Sequence, residues 1–428
     1  MKRRMLILTL GIGLRATAAQ TPIPIRALTS VVKTDSGMFA GIPQMRALPD
    51  GRLLVNDVGQ HRLIVFDTTL AHFTVSADNA GAPNRYGAQP GTFIPYVADS
   101  TIMLDVDAQA FVVIDPRGEI ARTMAMPRSN FSDIIALVSG ARSNQGYDPK
   151  GRMIYPALRN GARDMNATDS GTVTTRVLHD SSLIMRLDPD TKQSDTIAYL
   201  NLAVSKIVRM TLGPGRYPAT GPAAPNPLPV IDDWTLLPDG TIAIVRGHDY
   251  HIDWVSPDGV VTPSPKMAYD WRRATTEDKQ RMIDSAKAAA DARAAAAAAA
   301  AAARGANAGA AAAGRAGRAG SSGARGPVTV RLPGTQFEPS ELPDYYPPIR
   351  AGTVKSDPDG NVWILPTTSS AAGSGLVYDV VNRKGEVVER VRLPEGRALI
   401  AVGRGGVVYM GYAPARGVGY LERARIVR

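Results

Sequence analysis

The sequence predicts an all-β chain built from a repeated four-stranded unit and interrupted by one Ala-rich helical insert. Three observations carry this. Glycine and proline number 41 and 32 among 428 residues, more turn-forming residues than an all-helical chain tolerates. Turns of the form Pro-Asp-Gly or Asp-Pro-x-Gly recur along the chain. Short apolar runs of strand length flank them, and several are apolar at every position instead of every second one.

The first unit reads Ile42–Leu48, the turn Pro49-Asp50-Gly51, Arg52–Asn56, then His61–Asp67 and His72–Ser76. Another runs through Ile231–Leu237, Pro238-Asp239-Gly240, Thr241–Arg246, Tyr250–Ser256 and the turn Pro257-Asp258-Gly259. Related turns are Asp115-Pro116-Arg117-Gly118, Asp148-Pro149-Lys150-Gly151, Asp357-Pro358-Asp359-Gly360 and Arg383-Lys384-Gly385. Proline presets the first turn dihedral, aspartate bonds back to the chain, and glycine accepts positive φ. Leu63-Ile64-Val65-Phe66, Phe111-Val112-Val113-Ile114, Ile242-Ala243-Ile244-Val245 and Val407-Val408-Tyr409-Met410 are continuous apolar strands. Such strands need cover on both faces, which small sheets packed around an axis provide. Six copies begin near residues 41, 91, 131, 229, 348 and 395, so the expected architecture is a six-bladed β-propeller, with seven blades the lesser alternative. The last copy supplies three strands, and the stretch Ile23–Lys33 is expected to add the fourth at the outer edge.

Residues 56–67, Asn56-Asp57-Val58-Gly59-Gln60-His61-Arg62-Leu63-Ile64-Val65-Phe66-Asp67, resemble a blade of the NHL-repeat propellers. Outside its insert the chain is similar to the broader TolB-like and NHL-like group of exported bacterial propellers. That resemblance implies a fold, not an activity.

The expected domain layout is a signal peptide at 1–19, blades one to four at 20–265, an insert at 266–343, and blades five and six at 344–428. Met1-Lys2-Arg3-Arg4, the apolar stretch Met5–Leu14 and Ala16-Thr17-Ala18-Ala19 have the three-part layout of a Sec-type export signal. The expected location is therefore periplasmic or secreted, with no transmembrane segment in the mature chain. In the insert, Thr275 and Asp278 approximate a capping box, and Met282, Ile283 and Ala286 form a narrow apolar stripe. Apart from Asn307, residues 304–326 are Ala, Gly, Arg and Ser, a composition that supports no core. They read as a basic tether or as neutral low-complexity expansion.

The formal net charge of +10 overstates the basicity of the body. Four basic residues lie in the first nineteen, and six, against one aspartate, lie in 287–326, leaving the body near +1. A nucleic-acid partner requires a concentrated basic surface, so none is expected. With no cysteine in the chain, disulfides, thiolate metal sites and thiol nucleophiles are excluded.

Alternating strands send the short 1–2 and 3–4 turns to one end of the disc and the long excursions 77–95, 156–181, 201–230, 266–343 and 367–375 to the other. Function is expected at the long-loop end, around the channel mouth. Candidate ligand-binding residues there are Asp57, His61, Arg246, His248, Asp249, Tyr250 and His251. A His/Asp cluster can ligate zinc or exchange protons, and the same residues also fit hydrogen-bonded blade positions. Asp57, Asp105 and Asp107 are expected to end second strands of neighbouring blades and to converge on the channel mouth, and oxygen ligands converging from several blades suit calcium. This is similar to the gluconolactonase-like propellers, which hold a metal on the axis. The alternative role for these aspartates is to start loops through bonds to backbone. No catalytic nucleophile motif is present. Of the tryptophans, Trp234, Trp254 and Trp363 read as packing residues, and Trp271 as a cover for the channel. The resulting expectation is an exported binding or scaffold protein for a protein, peptide or saccharide. A calcium- or zinc-dependent hydrolase or lyase is the alternative.

Overall fold

The computed structural model describes residues 23–34, 38–39, 42–78, 93–105, 108, 110–125, 144–157, 173–178, 181–188, 190–203, 205–210, 219–220, 226–313, 337–372, 375–415 and 418–428. The proposed export signal and Asp107 lie outside these residues.

Two short strands open the chain, β1 (Ile25–Arg26) and β2 (Val32–Lys33). Blade one follows as β3 (Gln44–Ala47), β4 (Leu53–Asp57), β5 (Arg62–Phe66) and β6 (Phe73–Ala77), and blade two as β7 (Phe93–Pro95), β8 (Thr101–Asp105), β9 (Ala110–Ile114) and β10 (Ile120–Ala125). Blade three is β11 (Gly146–Tyr147), β12 (Met153–Ala157), β14 (Ser181–Leu187) and β15 (Ser194–Asn201). Its long connections contribute β13 (Val173–Leu178), β16 (Ser205–Met210) and β17 (Ala219–Thr220), which pair into a separate three-stranded sheet. Blade four is β18 (Asp233–Leu236), β19 (Ile242–Arg246), β20 (His251–Val255) and β21 (Val261–Pro263). After the helix α1 (Thr276–Ala313) come blade five, β22 (Lys355–Ser356), β23 (Val362–Ile364), β24 (Val377–Val381) and β25 (Val387–Arg392), and blade six, β26 (Arg397–Gly403), β27 (Val407–Ala415) and β28 (Val418–Arg425).

The core lies between blades. Six clusters of buried side chains fill the junctions one–two, two–three, three–four, four–five, five–six and six–one. The last joins Phe39, Met45 and Ile64 to Val407, Tyr409 and Leu421 and closes the ring. The continuously apolar strand β9 is buried at every position, as is β4, which ends in Asn56 and Asp57, whereas the outer strands β10 and β21 are largely exposed. The molecule is a six-bladed β-propeller. Blade three starts at Gly146, later than the sequence count placed it, because the Asp148–Gly151 turn joins its first two strands. Residues 131–143 lie outside the described set.

Closure is shared by two blades. As expected, β2 completes blade six, antiparallel to β28. However, β1 runs parallel to β25 and adds a fifth strand to blade five. Thr34, 1% exposed, holds the strap, its N–H donating to Leu421 O at 2.9 Å and its Oγ1 accepting from Leu421 N at 3.1 Å. Together they cover two strand edges that would otherwise offer unpaired backbone groups.

The tight turns follow their sequence logic. At Gly118 (φ 88°), N–H donates to Asp115 O at 2.9 Å, while the Asp115 carboxylate accepts from the Arg117 and Glu119 N–H groups. Strand alternation puts these turns at one end. The connections β6–β7, β10–β11, β12–β14, β15–β18, β21–β22 and β23–β24 leave from the other.

The base of the insert is anchored there. Thr275 and Asp278 form a reciprocal capping box, with both bonds at 3.1 Å. Met282 and Ile283 pack with Leu228, Ala274, Phe337, Leu342 and Tyr346. Lys279, buried, donates from Nζ to Leu342 O at 3.0 Å and to Asp344 Oδ1 at 2.9 Å. Among the described residues no helix is long and apolar enough to cross a membrane.

Candidate functional site

Blade four carries most of the candidate residues at its long-loop end. Strand β19 ends on Arg246, a four-residue turn follows, and β20 begins at His251, so the register pairs Arg246 with His251. Tyr250 takes a left-handed conformation (φ 52°) and turns inward, fully buried. Its hydroxyl donates to Asp379 Oδ2 at 3.3 Å in the next blade. Burial, reinforced by that carboxylate, holds the phenol well above its ordinary pKa.

The remaining side chains form one connected polar network. Arg246 donates from Nε to Asp253 at 2.7 Å and from Nη1 to Asp232 at 2.6 Å. Both nitrogens of His251 are occupied, Nδ1 with Asp249 at 2.7 Å and Nε2 with Asp253 at 3.1 Å. Lys266 pairs with Asp249 at 3.1 Å. Burial alone pushes the Asp249 carboxyl up, but Lys266 and His251 outweigh it and hold it below its ordinary value. The buried Asp232 carboxylate accepts from Asn201 N (2.9 Å), Asn201 Nδ2 (2.8 Å), Arg246 and Gly247 N (3.1 Å), binding blade three to blade four. An Ala side chain at Gly247 would meet Ile231 O at 1.9 Å, so only glycine fits under this latch. His248 is exposed beside the network.

The other candidates stand apart. Asp57, buried, pairs with Arg62 Nε across β4 and β5 at 2.9 Å. His61 occupies a left-handed turn position (φ 52°) before β5. Asp105 accepts from Ala108 N at 3.0 Å, the loop-starting role open to it from sequence. Asp107 is outside the described residues. Among those described, no group of three His, Asp or Glu side chains is disposed to hold a metal.

Beside blade four, the segment after β21 forms an aromatic ladder. Tyr250 meets Tyr269 edge-on at 5.4 Å, Tyr269 meets Trp271 at 5.0 Å, and Trp271 meets Tyr345 at 6.4 Å. Trp271 and Tyr345 are 42% and 46% exposed. Trp234, Trp254 and Trp363 are buried, as packing residues should be. Trp271 lies over Tyr269 and Tyr345 at the foot of the insert.

The axis of the propeller encloses a cavity of about 640 Å³, lined by the inner strands of all six blades. It reaches the turn residues Pro49, Pro238 and Pro358, so it extends to the short-turn end. Tyr96 and Tyr147 meet edge-on at 4.6 Å, and burial raises the Tyr147 pKa, with Tyr96 adding to it. Half-buried Arg46 is lowered by burial to about 10, against the pull of Asp99. Asn144 Nδ2 donates to Trp234 O and, at 3.1 Å, to Val354 O, tying blades three, four and five from inside. Sequence reasoning missed Arg46, Gln145, Tyr147 and Lys355, which come from blades one, three and five and share no local motif. The local signal they do share is position, in or immediately before the first strand of a blade.

No family model matches the sequence, and no curated protein matches it. Among solved structures, a gluconolactonase from Xanthomonas campestris is similar at 10% identity and a TM-score of 0.39, covering 91% of this chain and 87% of that one. A virginiamycin B lyase from Staphylococcus aureus is 7% identical at a TM-score of 0.39, covering 93% and 99%. A member of the duf4221 family from Bacteroides vulgatus is 8% identical at a TM-score of 0.44, covering 94% and 98%.

Proposed function

We propose that the protein is an exported propeller of the TolB-like or NHL-like kind that binds a protein, peptide or saccharide on its long-loop face. The observation that carries this reading is the exposed pair Trp271 and Tyr345, set at the end from which every long connection emerges. Large aromatic side chains bury much area at little entropic cost and anchor recognition surfaces. The neighbouring His251 network supports this role as a scaffold, because each of its charged groups is already committed to a partner within the blade.

The test is capture from a periplasmic extract by immobilised protein, wild type against Trp271→Ala/Tyr345→Ala, followed by titration of the purified partner. At least a tenfold weaker titration by the double variant is expected, and equal affinity overturns the reading. Stoichiometric calcium or zinc in the purified protein, lost in Asp57→Ala or His251→Ala, would instead favour metal-dependent hydrolase or lyase chemistry.

A further inference from the structure

The axial cavity presents hydrogen-bond donors that the protein itself does not satisfy. Gln145, immediately before β11, is 4% exposed, lines the cavity, and its Nε2 is buried with no hydrogen-bond partner. Lys355 on β22 lines the same cavity and its Nζ, among the described residues, makes no hydrogen bond or ion pair. Burial depresses its pKa, and Asp233 nearby only partly offsets this. The Asn144 bond to Val354 O draws together the backbone beside Gln145 and the backbone beside Lys355.

The other charged groups of the lining do not supply the missing acceptor. The Asp357 carboxylate is filled by Asp359 N, Asn361 N, Asn361 Nδ2 and Trp363 Nε1, all within 3.0 Å. Asp99 is exposed at the rim. Arg46 Nη1 donates to the Asp99 and Ser100 carbonyls and to Thr101 Oγ1, which are neutral acceptors, and Arg404 adds a further cation at the mouth. A buried donor left unmade is costly, and an anion satisfies it best. A volume of about 640 Å³ falls among small-molecule sites, and the tyrosine pair gives it one aromatic wall.

We infer that the axial cavity binds a small carboxylate with an aromatic or apolar body. Lys355 and Gln145 hold the carboxylate, and the body lies against Tyr96 and Tyr147. The cavity reaches the short-turn end and its lining includes neither Trp271 nor Tyr345, so the inference stands independently of the function proposed above.

Titration calorimetry with benzoate tests this, using benzamide as the uncharged counterpart and inorganic phosphate as the competing anion. Benzoate is expected to bind, with benzamide and phosphate each at least tenfold weaker. Lys355→Met should weaken benzoate about tenfold or more and Gln145→Leu about threefold or more. Trp271→Ala/Tyr345→Ala should leave its affinity unchanged. Lys355 Nζ makes no hydrogen bond or ion pair among the described residues, so Lys355→Met should melt at or above the wild-type temperature; if it does not fold, Lys355→Gln takes its place. No benzoate binding, equal binding of benzamide or phosphate, or unchanged binding by the Lys355 variant overturns the inference.

Discussion

Asp232 is the position at which one substitution should unseat a whole blade junction. Its carboxylate is 5% exposed and accepts four hydrogen bonds: two from Asn201 on the outer strand of blade three, one from Arg246 and one from Gly247 N. Asp232→Ala removes all four acceptor contacts at once. A hydrogen bond to a charged group contributes about 1.5–3 kcal/mol, but these four share one carboxylate and do not add. Removing one partner of a buried ion pair costs about 3–5 kcal/mol. Arg246 keeps Asp253 at 2.7 Å and the Tyr199 carbonyl at 2.9 Å, which favours the low end, about 3 kcal/mol. Asp232→Asn retains one acceptor oxygen and should lose roughly half of that. Urea unfolding followed by circular dichroism measures both. With Arg246→Met in the background, the cost of Asp232→Ala should shrink by about 1 kcal/mol or more, because no stranded guanidinium remains. A loss below about 1 kcal/mol for Asp232→Ala, or the same loss whether or not Arg246 is present, would refute the claim that this ion pair joins the two blades.

Three further outcomes follow from named contacts. Gly247→Ala places a Cβ 1.9 Å from Ile231 O and should cost about 1–3 kcal/mol in the same unfolding assay; wild-type stability would show that the latch is not tight. Thr34→Val keeps the buried shape but removes the oxygen that accepts from Leu421 N, so thermal unfolding should report a loss of about 1–3 kcal/mol. The third concerns pH. Burial pushes the Asp239 carboxyl up, but the Arg383 guanidinium at 2.6 Å and the Thr241 N–H outweigh it and hold the pKa below its ordinary value. A carboxyl depressed in the folded state contributes its stabilisation in full above the unfolded pKa, about 3.9, and loses it as pH falls through the folded value. Thermal midpoints measured from pH 6 down to pH 3 (roughly the carboxylate range) should therefore fall less steeply for Asp239→Asn than for wild type; parallel curves would remove Asp239 from the account.

Much of the fold was legible because it is written locally. The Asp-Pro-x-Gly and Pro-Asp-Gly turns set the hairpins, as at Gly118 and Gly240, whose φ values are 88° and 83°. The fully apolar runs Leu63–Phe66 in β5 and Phe111–Ile114 in β9 announced burial on both faces. The capping box at Thr275 and Asp278 was likewise readable from residues three apart. The polar cluster around His251 was visible as a run of residues, but its chemistry was not. Only the packing of β15 beside β19 shows that Asp232 and Tyr199 supply acceptors for Arg246.

The sequence by itself determined the repeating antiparallel unit, its turns, and the end of the disc to which long connections are sent. These depend on backbone conformation and on hydrophobic period, both of which act within a few residues. The tertiary structure alone decided that the N-terminal strap is divided between blades five and six, and that Gln145 and Lys355 face one axial cavity. Contacts of that kind join residues hundreds of positions apart, and they are set by ring closure and inter-blade packing, which no local pattern encodes.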